Sequence, residues 1–431
     1  MLSRRGFVAA MAASPLAAQP SPAEAEQLNR CLERAQRDPR TPEEFARDEP
    51  FWREIQSAFP VDRSLTNLNN GGVSPSPSVV HNKLEHRLRV SNDAPPYHMW
   101  RVLGPNRETV RKQLATAVGC DAEELAITRN TSESLMICQH GIELARGDEV
   151  LTTDQDYRRM QQAFRQRERR EGIVVKKIQL PVPCTDDEAV IASFAAAITD
   201  RTKLILVSHV INLTGQILPV AAICRMARAR NIQTIVDGAH AVAHFPFRID
   251  EVGCDYYGSS LHKWLFAPIG TGLLYVRKDR IKKLWPLFAA DEHMDDNIRK
   301  FEEIGTHPAA TGLGIAEALT FHHGLGAERK LARLQFLRDR WIEALSNDER
   351  VLLQTDCTNS RAGAIATVQV RDVDTSALSN HLWDKHRILV APIVHARFHG
   401  IRVSPSVYTT TAEVDRFIEG MRSILKDGLP K

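Results

Sequence analysis

Two adjoining runs decide the fold: Ile232-Gln233-Thr234-Ile235-Val236-Asp237-Gly238-Ala239-His240, then Cys254-Asp255-Tyr256-Tyr257-Gly258-Ser259-Ser260-Leu261-His262-Lys263. Each is a short apolar or aromatic stretch that ends in polar residues, the pattern of a buried strand bearing a functional group at its carboxyl end. Asp237 and Lys263 are 26 positions apart (263 − 237), room for one crossover connection between parallel strands. Upstream, strand-like runs at Leu125–Thr128, Glu149–Thr153, Ile173–Gln179 and Lys203–Ser208 alternate with helical stretches near 131–146, 157–170, 187–198 and 219–230. This alternation predicts an α/β fold, a mainly parallel sheet of about seven strands covered by helices on both faces.

The pattern changes beyond residue 290. Asp291 to Pro308 is polar and broken by Gly and Pro, and a long helical pattern covers 312–346. Short strands (362–371, 387–391, 400–404) and helices (374–386, 411–425) then predict a smaller α+β domain. The expected organisation is a leader at 1–25, a helical lead-in at 26–65, a large domain at 66–305 and a small domain at 306–431.

The leader opens Ser3-Arg4-Arg5-Gly6-Phe7-Val8, continues apolar to Ala18, and offers Ala23-Glu24-Ala25 as a cleavage site. That is the pattern of a twin-arginine export signal, whose apolar run is too short to remain as a membrane span. It predicts a soluble periplasmic protein, with no membrane association after the signal is removed. Arg4 and Arg5 against Glu24 give these 25 residues +1 of the chain's net +3, so the remainder carries +2. Such a chain has no electrostatic reason to bind nucleic acid or an acidic surface. The basic run Arg165 to Arg170 is interrupted by Glu168 and reads as a solvated helix face. The seven cysteines (31, 120, 138, 184, 224, 254 and 357) form no C-x-x-C pair, which argues against a disulfide framework.

In an open parallel sheet the ligand lies beyond the carboxyl ends of the strands, so the residues after each strand carry the chemistry. A carboxylate and a lysine there can be a plain ion pair. Pyridoxal 5′-phosphate (PLP) gives both a sharper use: Asp237 keeps the pyridine nitrogen protonated, and Lys263, made neutral by burial and by a cation such as His262, bonds the cofactor aldehyde. After Leu125–Thr128, Asn130 and Glu133 read as a helix cap, and the same helix start offers N–H groups to a phosphate, with Thr131 and Ser132 adding hydroxyls. Tyr157 follows the next strand and is placed to stack on a ring. Asn212 is placed to bond its phenolic oxygen, and Arg402 to clamp a substrate carboxylate.

Taken together, these residues resemble the class V aminotransferase family of fold type I PLP enzymes, which includes isopenicillin N epimerases and cysteine desulfurases. The resemblance runs from about Thr66 to Met421. Its most specific part is Val236 to His240, Ser260 to Lys263 and Gly270-Thr271-Gly272, with Asn69-Asn70-Gly71-Gly72, Thr128 to Glu133 and His209 to Asn212 in agreement. It implies Lys263 as the Schiff-base lysine and Asp237 as partner of the ring nitrogen. Thr131, Ser132, Ser260 and His262 match the phosphate site, His240 lies near the ring oxygen, and Asn70 and Arg402 fall on the substrate side. Phe301 to Thr306 looks like the segment by which a second subunit reaches the phosphate, which implies a homodimer acting on an amino acid.

Desulfurases carry a mobile cysteine ahead of the substrate arginine, and Ile393 to Arg402 contains none. Tyr157 also stands where they usually have His. The pattern therefore favours the epimerase-like branch, as transaminase or epimerase, with C–S elimination as the alternative. A non-catalytic exported PLP-fold binding protein is the other alternative. A dinucleotide enzyme lacks its G-x-G-x-x-G, because Gly312-Leu313-Gly314 has no third glycine. His240 and His244 lack the glutamate of a zinc H-E-x-x-H motif, so no metal is expected. His322 and His323 read as helix surface.

Overall fold

The protein is described here by a computed structural model covering residues 22–358 and 360–429. Its centre is a seven-stranded sheet of β1 (Leu125–Thr128), β2 (Glu149–Thr153), β3 (Val174–Ile178), β4 (Thr202–Ser208), β5 (Gln233–Asp237), β6 (Tyr256–Ser260) and β7 (Gly272–Val276). The spatial order is β1-β7-β6-β5-β4-β2-β3, and β7 alone runs antiparallel to its neighbours. The reason is the connection. Residues 261–271 hold no crossover helix, so the chain returns beside β6 in the opposite direction.

Side chains alternate across the pleat. Ile205 and Val207 of β4 face one apolar layer, while Leu204 and Leu206 face the other. Each such buried side chain contributes about 1.5–3 kcal/mol. Both faces are covered, which is why these strands read as continuous apolar runs rather than alternating ones.

A second sheet of four antiparallel strands has the order β10-β11-β9-β8, from β8 (Val351–Leu353), β9 (Ala366–Val370), β10 (Ala391–Val394) and β11 (His399–Val403). The predicted long helix over 312–346 is three: Ala309–Leu313, Ile315–Leu325 and Ala327–Leu345, parted at Gly314 and at Gly326. The first two pack into the core of the large sheet, while Leu337, Trp341 and Leu345 of the third enter the core of the small one. The boundary read at residue 305 thus sits two helices ahead of the change of core. At the other end, Thr66–Asn67 pairs in parallel with Ile388–Leu389, and Leu68 is buried among the small sheet's residues.

The lead-in is no appendage. Helices Pro22–Arg37, Pro42–Phe45 and Glu49–Ser57, with Phe59 just beyond the last, bury Leu28, Phe45, Trp52 and Phe59 against Trp264, Phe266, Phe321 and Tyr408. Arg4-Arg5 and the apolar run to Ala18 lie outside the described residues, and Ala23 to Ala25 fall in the first turn of the first helix. Among the described residues no helix is long and apolar enough to cross a membrane.

Two surface readings need correction. Arg167, within the basic run on helix Arg158–Glu171, is 4% exposed and donates to the Gln139 and Ile142 carbonyls at 2.7 and 2.8 Å. It serves the carboxyl end of helix Thr131–Gly141, where carbonyls lack helical partners. His322 is half-buried, and its Nδ1 has no partner among the described residues.

Candidate active site

The carboxyl ends of β2, β4, β5 and β6 open onto one cavity of about 430 Å³. Register explains how distant residues meet there. Ser208 stands beside Asp237, Asp237 beside Gly258, and Gly272 is paired with both Ser260 and Thr128. A Cβ on Gly272 would lie 2.7 Å from the Asn130 backbone, so only glycine lets β7 pass this close to the turn after β1.

At that turn Asn130 Oδ1 accepts from the Glu133 N–H at 2.9 Å and starts helix Thr131–Gly141. Glu133 does not close a capping box, since its carboxylate accepts instead from the Arg129 N–H and guanidinium. The Thr131 N–H donates to Ser260 Oγ at 2.9 Å, and the two hydroxyls lie 2.8 Å apart. Ser132 and His262 line the cavity beside them. A helix start with first-turn N–H groups and several hydroxyls is a fitting seat for a phosphate.

Lys263 and Asp237 share the cavity. Burial pulls the Lys263 amine down to about 8, with Arg402 adding to the effect and Asp237 opposing it. The expected cation was His262, but Arg402 takes that part; the His262 ring is itself disfavoured as a cation by burial and by Lys263. Burial lifts Asp237 to about 6, against the pull of the Ala239 N–H and Lys263, while the buried Asp156 adds to the rise. Lys263 Nζ lies 3.1 Å from His240 Nε2.

On the far wall Arg402 of β11 donates to the Asn212 carbonyl at 2.7 Å and to Asn69 Oδ1 at 2.8 Å. Its Nε and the Asn212 Oδ1 are buried and have no partner among the described residues. Both residues also line the cavity. Tyr157, 42% exposed, stands at the amino end of helix Arg158–Glu171 and lines the opening. Ser208 and Met160 also line the cavity and carried no site reading from sequence; Gly71, of the Asn69 to Gly72 motif, lines it too. For Ser208 a signal existed, its place as the last residue of a strand. Asn69 lay in a motif shared with the family, but nothing in sequence pointed to its partner Arg402, 333 positions away.

Two predicted residues fall elsewhere. Asn70 is fully buried, donates to the Asn67 and Ser404 carbonyls and accepts from Tyr408 Oη, so its amide is spent on joining chain segments. Thr306 lines a neighbouring cavity of about 500 Å³ that shares Asn130 with the first but not Lys263. The metal reading of His240 and His244 meets a physical obstacle: both His244 nitrogens are committed, Nδ1 to the His240 carbonyl and Nε2 to the Ala364 N–H, each at 2.7 Å. No cysteine lines the Lys263 cavity, and burial pushes the Cys357 thiol up to about 11.

The sequence profile of the family described as Aminotransferase class-V matches residues 66–417. The chain belongs to the class V aminotransferase family. The family's cofactor is PLP, and the lysine, carboxylate and helix-start cup described above fit it. This class V chain is 31% identical over 394 residues to an isopenicillin N epimerase of Amycolatopsis lactamdurans, covering 87% of this chain and 99% of that one. A second isopenicillin N epimerase, of Streptomyces clavuligerus, is 29% identical over 86% of this chain and 98% of its own. A probable cysteine desulfurase of Xylella fastidiosa is 24% identical over 88% and 96%. In fold, the class V chain is similar to a cysteine desulfurase of Escherichia coli (TM-score 0.76, 19% identity, 87% of this chain and 98% of that one). It is also similar to a cystine C-S lyase solved with cysteine persulfide (TM-score 0.74, 22% identity, 83% and 97%). This is fold type I of the PLP-dependent enzymes.

Proposed function

We propose that this class V enzyme removes the proton from the α-carbon of an amino acid, returning it there as an epimerase or releasing the keto acid as a transaminase, with Lys263 as its cofactor lysine. The observation that carries the reading is the convergence of the Lys263 amine, the Asp237 carboxylate and the Arg402 guanidinium on one cavity. Bound there, PLP supplies an electron-withdrawing ring that makes the α-proton acidic. Asp237 keeps a proton at the ring nitrogen, Thr131, Ser132, Ser260 and His262 hold the phosphate, and Asn212 and His240 face the ring oxygen. Tyr157 covers the ring. Arg402, which lines the cavity, takes the substrate carboxylate. Lys263, with an amine that titrates near 8, carries the proton to and from the α-carbon.

The test is an amino-acid panel with holoenzyme in deuterated water, with α-proton exchange, inversion, keto acid, ammonia and sulfide read separately. Exchange with inversion or keto acid, lost in Lys263→Ala, is expected. Sulfide release would mean elimination at the β-carbon, the C–S lyase alternative. A coloured protein that exchanges no proton from any amino acid would be a binding module.

We also propose a homodimer in which Thr306 of the partner subunit completes the phosphate site. Supporting this, Thr306 stands apart from its own Lys263, and its cavity is rimmed by exposed Trp100 and Ile269. Sedimentation checks it, and an active monomer would sink it. The third proposal is export by the twin-arginine route to the periplasm, supported by Arg4-Arg5 before an apolar run and by seven cysteines that are all unpaired. Arg4→Lys with Arg5→Lys is expected to leave folded, coloured enzyme in the cytoplasm. Undiminished processed enzyme in the periplasm would refute it.

A further inference from the structure

Trp264 follows Lys263 directly, yet its side chain turns away from the cavity and is fully buried. Its indole N–H, which can only donate, meets His240 Nδ1 at 3.4 Å. A buried donor needs an acceptor, so Nδ1 must present a lone pair. His240 is itself buried, and enclosure beside Lys263 and Arg402 strongly disfavours its charged form. A neutral imidazole with a bare Nδ1 carries its proton on Nε2. That Nε2 is the atom 3.1 Å from Lys263 Nζ. The opposite assignment, with a proton on Nδ1, would set two buried N–H groups head-on.

The indole is held in turn. Its ring stacks on His244 with centroids 3.9 Å apart and an interplanar angle of 11°. His244 has no rotational freedom, because a carbonyl can only accept at Nδ1 and a backbone N–H can only donate at Nε2. A Cβ on Gly363 would lie 2.2 Å from His244 Nε2, so the residue before Ala364 must be glycine for the ring to seat. Orientation therefore passes from the Ala364 backbone through His244 and Trp264 to His240.

We propose that Trp264 is a positioning residue that locks His240 in the Nε2–H tautomer, so that this ring donates toward Lys263 and toward a cofactor oxygen. The proposal deepens the reading of Lys263 and rests on it. Before the cofactor is bound, and above the pH near 8 at which the amine loses its proton, Lys263 Nζ accepts this hydrogen bond as the neutral amine, the form able to attack an aldehyde. With cofactor bound, the same N–H is the donor that an anionic ring oxygen requires.

The test is 15N NMR of enzyme labelled in the histidine rings, with His240 assigned by the signals absent from His240→Gln. Expected in the native holoenzyme is a bare Nδ1 and a protonated Nε2. Trp264→Phe keeps a flat ring on His244 but removes the N–H. It should admit the second tautomer and lower kcat about tenfold, the rate equivalent of one hydrogen bond, with KM nearly unchanged and visible absorbance retained. A protonated Nδ1 in the native enzyme, or an unchanged tautomer and kcat in Trp264→Phe, overturns the proposal. If that variant does not fold, the native spectrum alone decides. A native protein with no visible absorbance on PLP addition would instead count against Lys263 as cofactor lysine, and the nitrogen shifts of His240 would still report the tautomer.

Discussion

The hydroxyls of Thr131 and Ser260 lie 2.8 Å apart, joining the first residue of one helix to the last residue of a strand 129 positions later. The Thr131 N–H donates to the same Ser260 oxygen. Ser260 thus holds the helix start in place and adds its own oxygen to the proposed phosphate cup.

Ser260→Ala should therefore weaken PLP binding about tenfold, as expected for the loss of a hydrogen bond to a charged group, and lower Tm, because the buried Thr131 N–H loses its acceptor. Equilibrium dialysis of the variant against native enzyme measures this. Unchanged affinity would remove Ser260 from the cofactor site.

Asp237→Asn should cost about 100-fold or more in kcat, the scale of losing a buried electrostatic partner, while Tm holds or rises. The reason for the second half is that burial lifts Asp237 to about 6, so the fold bears a cost in keeping it charged. Thermal unfolding beside steady-state kinetics checks both halves, and an active Asp237→Asn enzyme would end the assignment.

Capture of PLP by apoenzyme should depend on pH through Lys263. Only the neutral amine attacks an aldehyde, and this amine titrates near 8 rather than at the ordinary 10.5. The rate should rise about tenfold per pH unit below that value and level off above it. Stopped-flow absorbance gives the profile, and a rise continuing to about pH 10 would show an unperturbed lysine.

Glu302→Ala should destabilise the fold by about 3–5 kcal/mol, the cost of removing one partner from a buried ion pair. Glu302 accepts from Arg111, which is 1% exposed, and from the Ile127 N–H of β1, and lies 3.0 Å from Arg107 Nε. It also anchors the segment that leads to Thr306, so the variant should weaken the proposed dimer in parallel. Calorimetry and sedimentation read the two effects, and a dimer as stable as native would separate this anchor from the interface.

Most of the sheet and most of the site were legible because both are local patterns. A buried parallel strand is an apolar run, and its chemistry follows it in sequence, as at Asp237, Lys263 and Asn212. Pairings with distant segments were not legible. Asn69 reaching Arg402 and Ala364 fixing His244 leave no periodic trace, and Asn70 looked like a site residue because its neighbours are. β7 was overlooked as a strand because it follows a loop instead of a helix. The 312–346 pattern concealed its breaks, since its apolar spacing continues through Gly314 and Gly326 while the residues change cores. Arg167 sat among arginines that do face solvent, and composition gave no way to tell it apart.

The burial of Leu28, Phe45 and Trp52 against Phe321, Leu334, Val407 and Tyr408 bears on how the chain is made. A ribosome delivers the first helices hundreds of residues before the surface that covers them. Trp264 and Phe266 reach them partway through synthesis, and the layer closes only when Val407 and Tyr408 have emerged. Capture of the cofactor should therefore wait until Arg402 and Tyr408 have emerged. Nascent chains arrested before residue 400 should bind no PLP, whereas the released polypeptide should acquire colour.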